Sequence, residues 1–273
     1  FQSGSVSSQV VEAVEEEYGL NEPLFDQYAA YMGNLARGDL GISYQDPDTS
    51  VAEIIGRTWP VTASLGITAL LTAVILGTGL GILRAVSKKK AVREGIAAGG
   101  MLLAGIPNFA AAILLLLVFS VKLKWFPSAG LLSPAHYVLP VAALMLYPMA
   151  VISRLTGNAL AAEMDRQYVL FARAKGLGRG RILFTHALKN AWVPVLNYVG
   201  PASAFLLTGS FVVESIFTIP GLGREFVSSV TNRDYTLILG LTVFMGTVVI
   251  LVNLATVSYT HLRAHETLSD LLC

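Results

Sequence analysis

The chain has 273 residues, of which 54% are hydrophobic and 14% charged, and its mean hydropathy is +0.62. That leaves too little polar surface for a soluble domain of this length, so the sequence reads as a polytopic membrane protein. The net charge of +1 says nothing of partners, because the charges are segregated along the chain. The single cysteine, Cys273, excludes an internal disulfide and a thiolate cluster for metal.

Residues 1–60 hold ten acids against Arg37 and Arg57, a net of −8, with no stretch long enough to span a bilayer. Phe1 is not followed by the basic and apolar regions of a signal peptide. Leu24, Phe25, Tyr28, Tyr31, Met32 and Leu35 fall at helical spacing behind Asn21 and Pro23. The pattern predicts an amphipathic helix that covers the chain's own bundle, with docking of a partner as the other reading. Five apolar segments follow, each near the ~20 residues that cross a bilayer: Val61–Ala85, Gly95–Val121, Tyr137–Ile152, Trp192–Phe217 and Tyr235–Val257.

The connections between them alternate in charge. Lys88, Lys89, Lys90 and Arg93 follow the first segment, and Lys122 and Lys124 follow the second. The third leads into Arg173, Lys175, Arg179, Arg181 and Lys189, with no acid in Tyr168–Asn190. In Thr218–Asp234, Arg224 and Arg233 balance Glu225 and Asp234. Retention of lysine and arginine inside puts the Lys88 and Tyr168 connections in the cytoplasm and the acidic amino-terminal segment outside. A segment of that kind needs a preceding span or a cleaved signal to cross, and neither is visible, so the sequence reads as truncated by one span.

Within the spans, Gly77 with Gly81 and Gly95 with Gly99 are spaced to let helices approach closely. Pro107, Pro140, Pro148, Pro194 and Pro201 interrupt apolar runs, which suits a transporter with broken helices, though a static bundle also uses such kinks. Glu214 is the one acid well inside an apolar segment, open both to a proton-relay or substrate role and to a structural one at a backbone amide or the interface. Arg84 and Arg154, at inner ends, read as snorkelling anchors. No phosphate-binding loop motif occurs, and no nucleic-acid partner is indicated.

Val257–Thr267 resembles read-through of a transposon-type sequencing adapter, so residues 257–273 are set aside, and with them His261, His265, Glu266 and Cys273 as metal ligands. His136 and His186 have no neighbouring ligand set, so neither a metal nor any other cofactor is expected.

The basic connection is predicted to be a helix-turn-helix. Ala172, Ala174, Leu177, Ile182, Leu183 and Leu188 supply a small apolar surface, and Gly176, Gly178 and Gly180 permit a turn. Such a segment can dock in a groove of another protein, lie solvated, or touch anionic lipid.

The run Tyr168–Leu177, followed by His186–Asn190 and Pro194, resembles the coupling loop of ABC importer permeases of the dipeptide, oligopeptide and nickel branch, first-permease type. Tyr18–Leu24 and Gly38–Ser43 resemble that branch's external segment after its first span. Glu214–Phe217, Pro220–Arg224, Arg233–Tyr235 and Leu251–Asn253 resemble its last external connection and final span.

The resemblance implies an all-α permease fold with five of an expected six transmembrane helices and a coupling loop over residues 157–191. It implies a transport subunit, with ATP hydrolysed in a separate chain, set in membrane lipid of a bacterial or archaeal cytoplasmic membrane. The implied partners are cytoplasmic ATPase subunits, a second similar permease and an external solute-binding protein. Ala172, Arg173, Ala174, Lys175, Gly176 and Leu177 carry over as the coupling segment, and Glu214, Pro220, Gly221 and Gly223 are candidates for the pathway or external gate. Leu170 and Phe171 stand where the broader importer pattern has an acid and an alanine, which fits the peptide branch. The alternatives are an ion-coupled secondary transporter and a membrane scaffold without a pathway.

Overall fold

The structure, a computed structural model, describes residues 21–269, with side chains to residue 258. The acids before Glu22, the side chains of His261, His265 and Glu266, and Cys273 lie outside the described residues. The described chain is helical, with one isolated bridge between Ile42 and Ser50.

The predicted amphipathic helix forms as α1, Leu24–Ala36. It does not cover the bundle: none of its residues is buried, and Leu24 and Phe25 are 84% and 77% exposed. A gap of about 710 Å³ separates Tyr28, Tyr31 and Met32 from Tyr235 and Leu239. Burial on one side pushes the Tyr31 phenol up, and its hydroxyl has no hydrogen-bond partner among the described residues.

α2, Val51–Val86, begins ten residues before the predicted span. Ser50 caps it by accepting from the Glu53 amide at 3.2 Å. Its first turns pack on protein, with Val51, Ile54 and Ile55 in one core with Leu222, Leu237 and Leu241. Glu53 and Arg57, which break the apolar pattern there, stay exposed.

α2 lies along α5, Pro134–Met164, whose start is capped by Ser133 and which carries Pro140 and Pro148 in its body. The close approach depends on Gly77 and Gly81. A Cβ at Gly81 would stand 2.5 Å from Cβ of Thr156 and 2.8 Å from the Ser153 carbonyl. One at Gly77 would stand 2.8 Å from the Met149 carbonyl. Neither Gly95 nor Gly99 has anything within 4 Å of such a position, so the second small-residue pair makes no close helix contact here. Gly81→Leu is therefore expected to wedge the two helices apart, costing about 3 kcal/mol or more, whereas Gly99→Leu leaves stability near wild type. Thermal unfolding of the two variants in detergent checks this.

The predicted span Gly95–Val121 is a bent pair. α3, Lys90–Gly105, meets α4, Asn108–Leu115 with its π-helical extension Leu116–Lys122, at 99°. Pro107, which cannot continue α3, sits at the break. Trp192–Phe217 is also broken: α8, Val193–Leu207, is only 15 residues long, and α9, Phe211–Ile216, follows a turn at Gly209 with φ +99°. At 1.5 Å per residue α8 is about 22 Å long, short of the ~30 Å hydrocarbon core.

Between α5 and α8 come α6, Gln167–Ala174, and α7, built from Arg179–Arg181, the π-helical Ile182–Ala187 and Leu188–Ala191. After α9 the chain continues through α10, Leu222–Asn232, to α11, Tyr235–Ser269. Among the described residues three helices (α2, α5 and α11) are long and apolar enough to cross a membrane, and four if the α3–α4 pair counts as one. The predicted count of five requires α8 and α9 together to serve as a broken span.

Candidate functional site

Two groups of residues marked in the sequence become compact structures at opposite ends of the bundle. At the predicted cytoplasmic end the basic connection folds as the expected helix-turn-helix. α6 ends with Gly176 at φ +77°, the Gly176 amide donating to the Arg173 carbonyl at 2.9 Å and the Leu177 amide to the Ala172 carbonyl at 3.2 Å. This pairing closes a helix on a left-handed residue, which is why glycine stands there. Leu177 then packs on Val169, Ala172 and Ile182 to make a small core of its own.

The motif is tied to the end of α5. The Tyr168 hydroxyl donates to Glu163 Oε2 at 2.6 Å, and Asn190 Nδ2 donates to the Tyr168 hydroxyl at 3.4 Å. Burial first, and the Glu163 bond second, push the Tyr168 phenol up, so it stays a donor. Of the six coupling residues, Ala172 is buried and Leu177 half-buried, while Arg173, Ala174, Lys175 and Gly176 are exposed. Arg179 and Arg181 are exposed as well, and none of these cations has an ion pair among the described residues. Leu170 and Phe171, the departures from the wider pattern, are 54% and 67% exposed on the same short helix. The surface is thus basic around an apolar centre.

At the other end, the gate candidates meet around Glu214, whose side chain is fully buried. Its carboxylate accepts from the Arg224 amide at 3.1 Å and from the Thr62 hydroxyl at 3.1 Å, while Thr62 Oγ1 accepts from the Leu222 amide at 2.8 Å. Glu214 and Thr62 thereby serve the open amides of the first turn of α10, where negative charge is favoured. The glycines make room for the carboxylate: a Cβ at Gly221 would stand 2.5 Å from Glu214 Oε2, and one at Gly223 3.0 Å. Pro220 is exposed beside them.

A second buried carboxylate, Asp234, was marked in the sequence by the charge balance of Thr218–Asp234 and the Arg233–Tyr235 resemblance. It caps α11 by accepting from the Leu237 amide at 3.1 Å. It also accepts from the Ser43 hydroxyl and from the amides of Tyr44, at 3.2 Å, and Gln45, at 3.4 Å. Two motifs quoted separately, Gly38–Ser43 and Arg233–Tyr235, are therefore one structure. α10 is held at its first turn by Glu214, and just past its last by Asp234. Thr62, Ser43 and Asp234 were missed as site residues; two acids on either side of one amphipathic stretch were the available signal.

A helical membrane chain with a basic helix-turn-helix at one end and a carboxylate-held broken span at the other has the architecture of an ABC transporter permease. The inward-facing MetNI methionine ABC transporter matches 76% of this chain and 95% of its own at a TM-score of 0.64 and 17% identity. A solved amino acid ABC transporter with histidines matches 79% and 94% at 0.57 and 16%. At those identities the likeness establishes the fold.

Sequence comparison is more specific. The dipeptide transport system permease protein DppB of Bacillus subtilis (strain 168) is 42% identical over 238 residues, 87% of this chain and 77% of its own. The oligopeptide transport system permease protein OppB of Salmonella typhimurium is 40% identical over 242 residues, 87% and 78%. Residues 77–263 match the family described as binding-protein-dependent transport system inner membrane component, and the chain belongs to that family.

Proposed function

We propose that this permease imports peptides or chemically related small solutes, nickel complexes among them, as one of two similar permease chains in the cytoplasmic membrane of a bacterium or archaeon. ATP is hydrolysed on separate cytoplasmic subunits, and an external binding protein delivers the solute. In this reading there are five spans, with α8 and α9 together as one broken span, the acidic segment up to residue 60 lies outside and residues 157–191 lie in the cytoplasm. The peptide specificity rests on the two relatives named above, DppB and OppB.

The observation that carries the mechanism is the independent core of the α6–α7 motif. Val169, Ala172, Ile182 and Leu177 give it rigidity, so a push on its exposed face passes to α5 through Tyr168 and Glu163 instead of being absorbed by a loose loop. Ala172–Leu177 is the coupling segment. Leu170 and Phe171 enter a groove of the ATPase subunit, with Arg173 and Lys175 facing its carboxylates. Glu214, Gly221 and Gly223 form the external gate with Pro220 at its lip. Closure of the ATPase subunits then moves one end of α5, and the broken span α8–α9 transmits the movement to that gate.

Gly176→Pro cannot adopt φ +77° and loses the amide that donates to Arg173. It is expected to lower ATP hydrolysis stimulated by the loaded binding protein about tenfold or more, with membrane insertion intact. Arg173→Glu lowers it in the same direction. The check is ATPase activity of the reconstituted importer beside the amount of permease in the membrane. Wild-type coupling in both variants sinks the coupling assignment.

A further inference from the structure

A cavity of about 580 Å³ opens where α3 and α4 break, walled by α5 and α8. Its polar side chains are Asn108, Tyr147 and Tyr198, and its apolar wall includes Pro148, Pro201 and Phe205. No charged residue lines it. Tyr147 and Pro148 lie near the middle of α5, so the cavity sits near the midplane of the bundle. The side chains of Asn108, Tyr147 and Tyr198 take no hydrogen bond among the described residues. Pro148 and Pro201 also deny the carbonyls of Leu144 and Asn197 their usual helical donors.

Three unpartnered polar side chains and two under-served carbonyls at this depth are costly against lipid, so the cavity calls for a polar occupant. An ionic group would find no counter-charge there. A peptide main chain fits the chemistry, because each amide offers one N–H and one C=O whatever its side chains are. Tyrosine hydroxyls and an asparagine amide can both accept and donate, and the Tyr147, Tyr198 and Phe205 rings give a wall tolerant of different side chains. Uncharged contacts also hold a passing solute weakly enough to release it.

Building on the peptide-importer reading, we propose that this cavity is a transient solute subsite in which Asn108, Tyr147 and Tyr198 hydrogen-bond the main-chain amides of the transported peptide. The three residues set a preference for unsubstituted amides over side-chain identity.

The test uses the full-length permease reconstituted in vesicles with its second permease, ATPase subunits and binding protein. The probes are trialanine and trialanine methylated on both amide nitrogens, each preloaded on saturating binding protein. Wild type is expected to take up trialanine about tenfold faster than the methylated probe, and Y147F/Y198F to narrow that preference to about twofold, as loss of two hydrogen bonds requires. A diazirine-bearing tripeptide trapped during turnover by wild type should label Tyr147, Tyr198 or Phe205, which tests the site even if the double variant does not fold. An unchanged preference in a folded double variant, or labelling confined to other segments, overturns the subsite while leaving the importer reading standing. Crosslinking of these positions to the second permease in place of peptide also overturns it. ATP-driven uptake of neither probe by wild type overturns the peptide reading and the subsite with it.

Discussion

Asp234→Ala is expected to free the loop of residues 37–50 from the start of α11 and to destabilise the permease by about 3 kcal/mol. The side chain is 1% exposed and accepts from Leu237, Tyr44 and Gln45 amides and from the Ser43 hydroxyl. Removing it costs a helix cap of about 1 kcal/mol and leaves the other donors short of an acceptor, at about 1 kcal/mol or more each where water cannot enter. The loop's further ties include the Ile42–Ser50 bridge, the hydrogen bond from Gln45 Nε2 to the Asn232 carbonyl at 3.0 Å and the packing of Leu40 on the core that holds Leu237 and Leu241. Asp234→Asn retains one acceptor oxygen and should lose less, as should Ser43→Ala, which removes one donor to the carboxylate and an acceptor of the Gln45 and Asp46 amides but leaves the carboxylate its own amides. Thermal unfolding in detergent, with limited proteolysis of residues 37–50, reads both effects. Wild-type protease resistance in Asp234→Ala would show that the loop is held by something else.

The same pair of motifs shows what a single sequence conveys. Apolar length and the lysine and arginine pattern located α2, α5 and α11, because burial in lipid imposes composition directly. Gly77 and Gly81 were legible as a close contact, and Gly176 as a turn, since each role excludes a larger side chain. The break at Gly209 was not, because Thr208, Gly209 and Ser210 are three small residues inside an apolar run that averages as a span. The 99° turn at Pro107 was legible as a kink without its size.

α1 was legible as a helix, but the destination of its apolar face was not, because amphipathicity names a face and no neighbour. The polar clusters were hidden by distance along the chain. Ser43 and Asp234 are 191 residues apart, and Thr62 and Glu214 are 152, so no local spacing links them. Thr62 in particular reads as filler in an apolar span. What the sequence did contain was a motif on each side of the first pair, and their meeting just past the last turn of α10 is the step that required coordinates.

Glu214→Ala is expected to be the most damaging single change to transport. Among the described residues the carboxylate is the acceptor of the Arg224 amide and the partner of the Thr62 hydroxyl, which itself serves Leu222. Alanine leaves a cavity ringed by Gly209, Gly221 and Gly223 and opens the start of α10, at about 3 kcal/mol or more for a broken buried network. If this knot is the external gate, the variant leaks: preloaded vesicles containing the assembled importer should lose solute without ATP several-fold faster than wild type, and ATP-driven uptake should fall by about a hundredfold. Glu214→Gln tests the chemistry. Its carbonyl can still accept from Arg224, but its amide must face Thr62, whose oxygen can accept it beside the Leu222 amide only if the hydroxyl proton turns to another acceptor; an intermediate leak follows. Thr62→Val removes the same bridge from the other side, so the two changes should be less than additive in the leak rate. Strict additivity would mean that Glu214 and Thr62 act separately, and a tight, ATP-dependent Glu214→Ala importer would remove this cluster from the gate altogether.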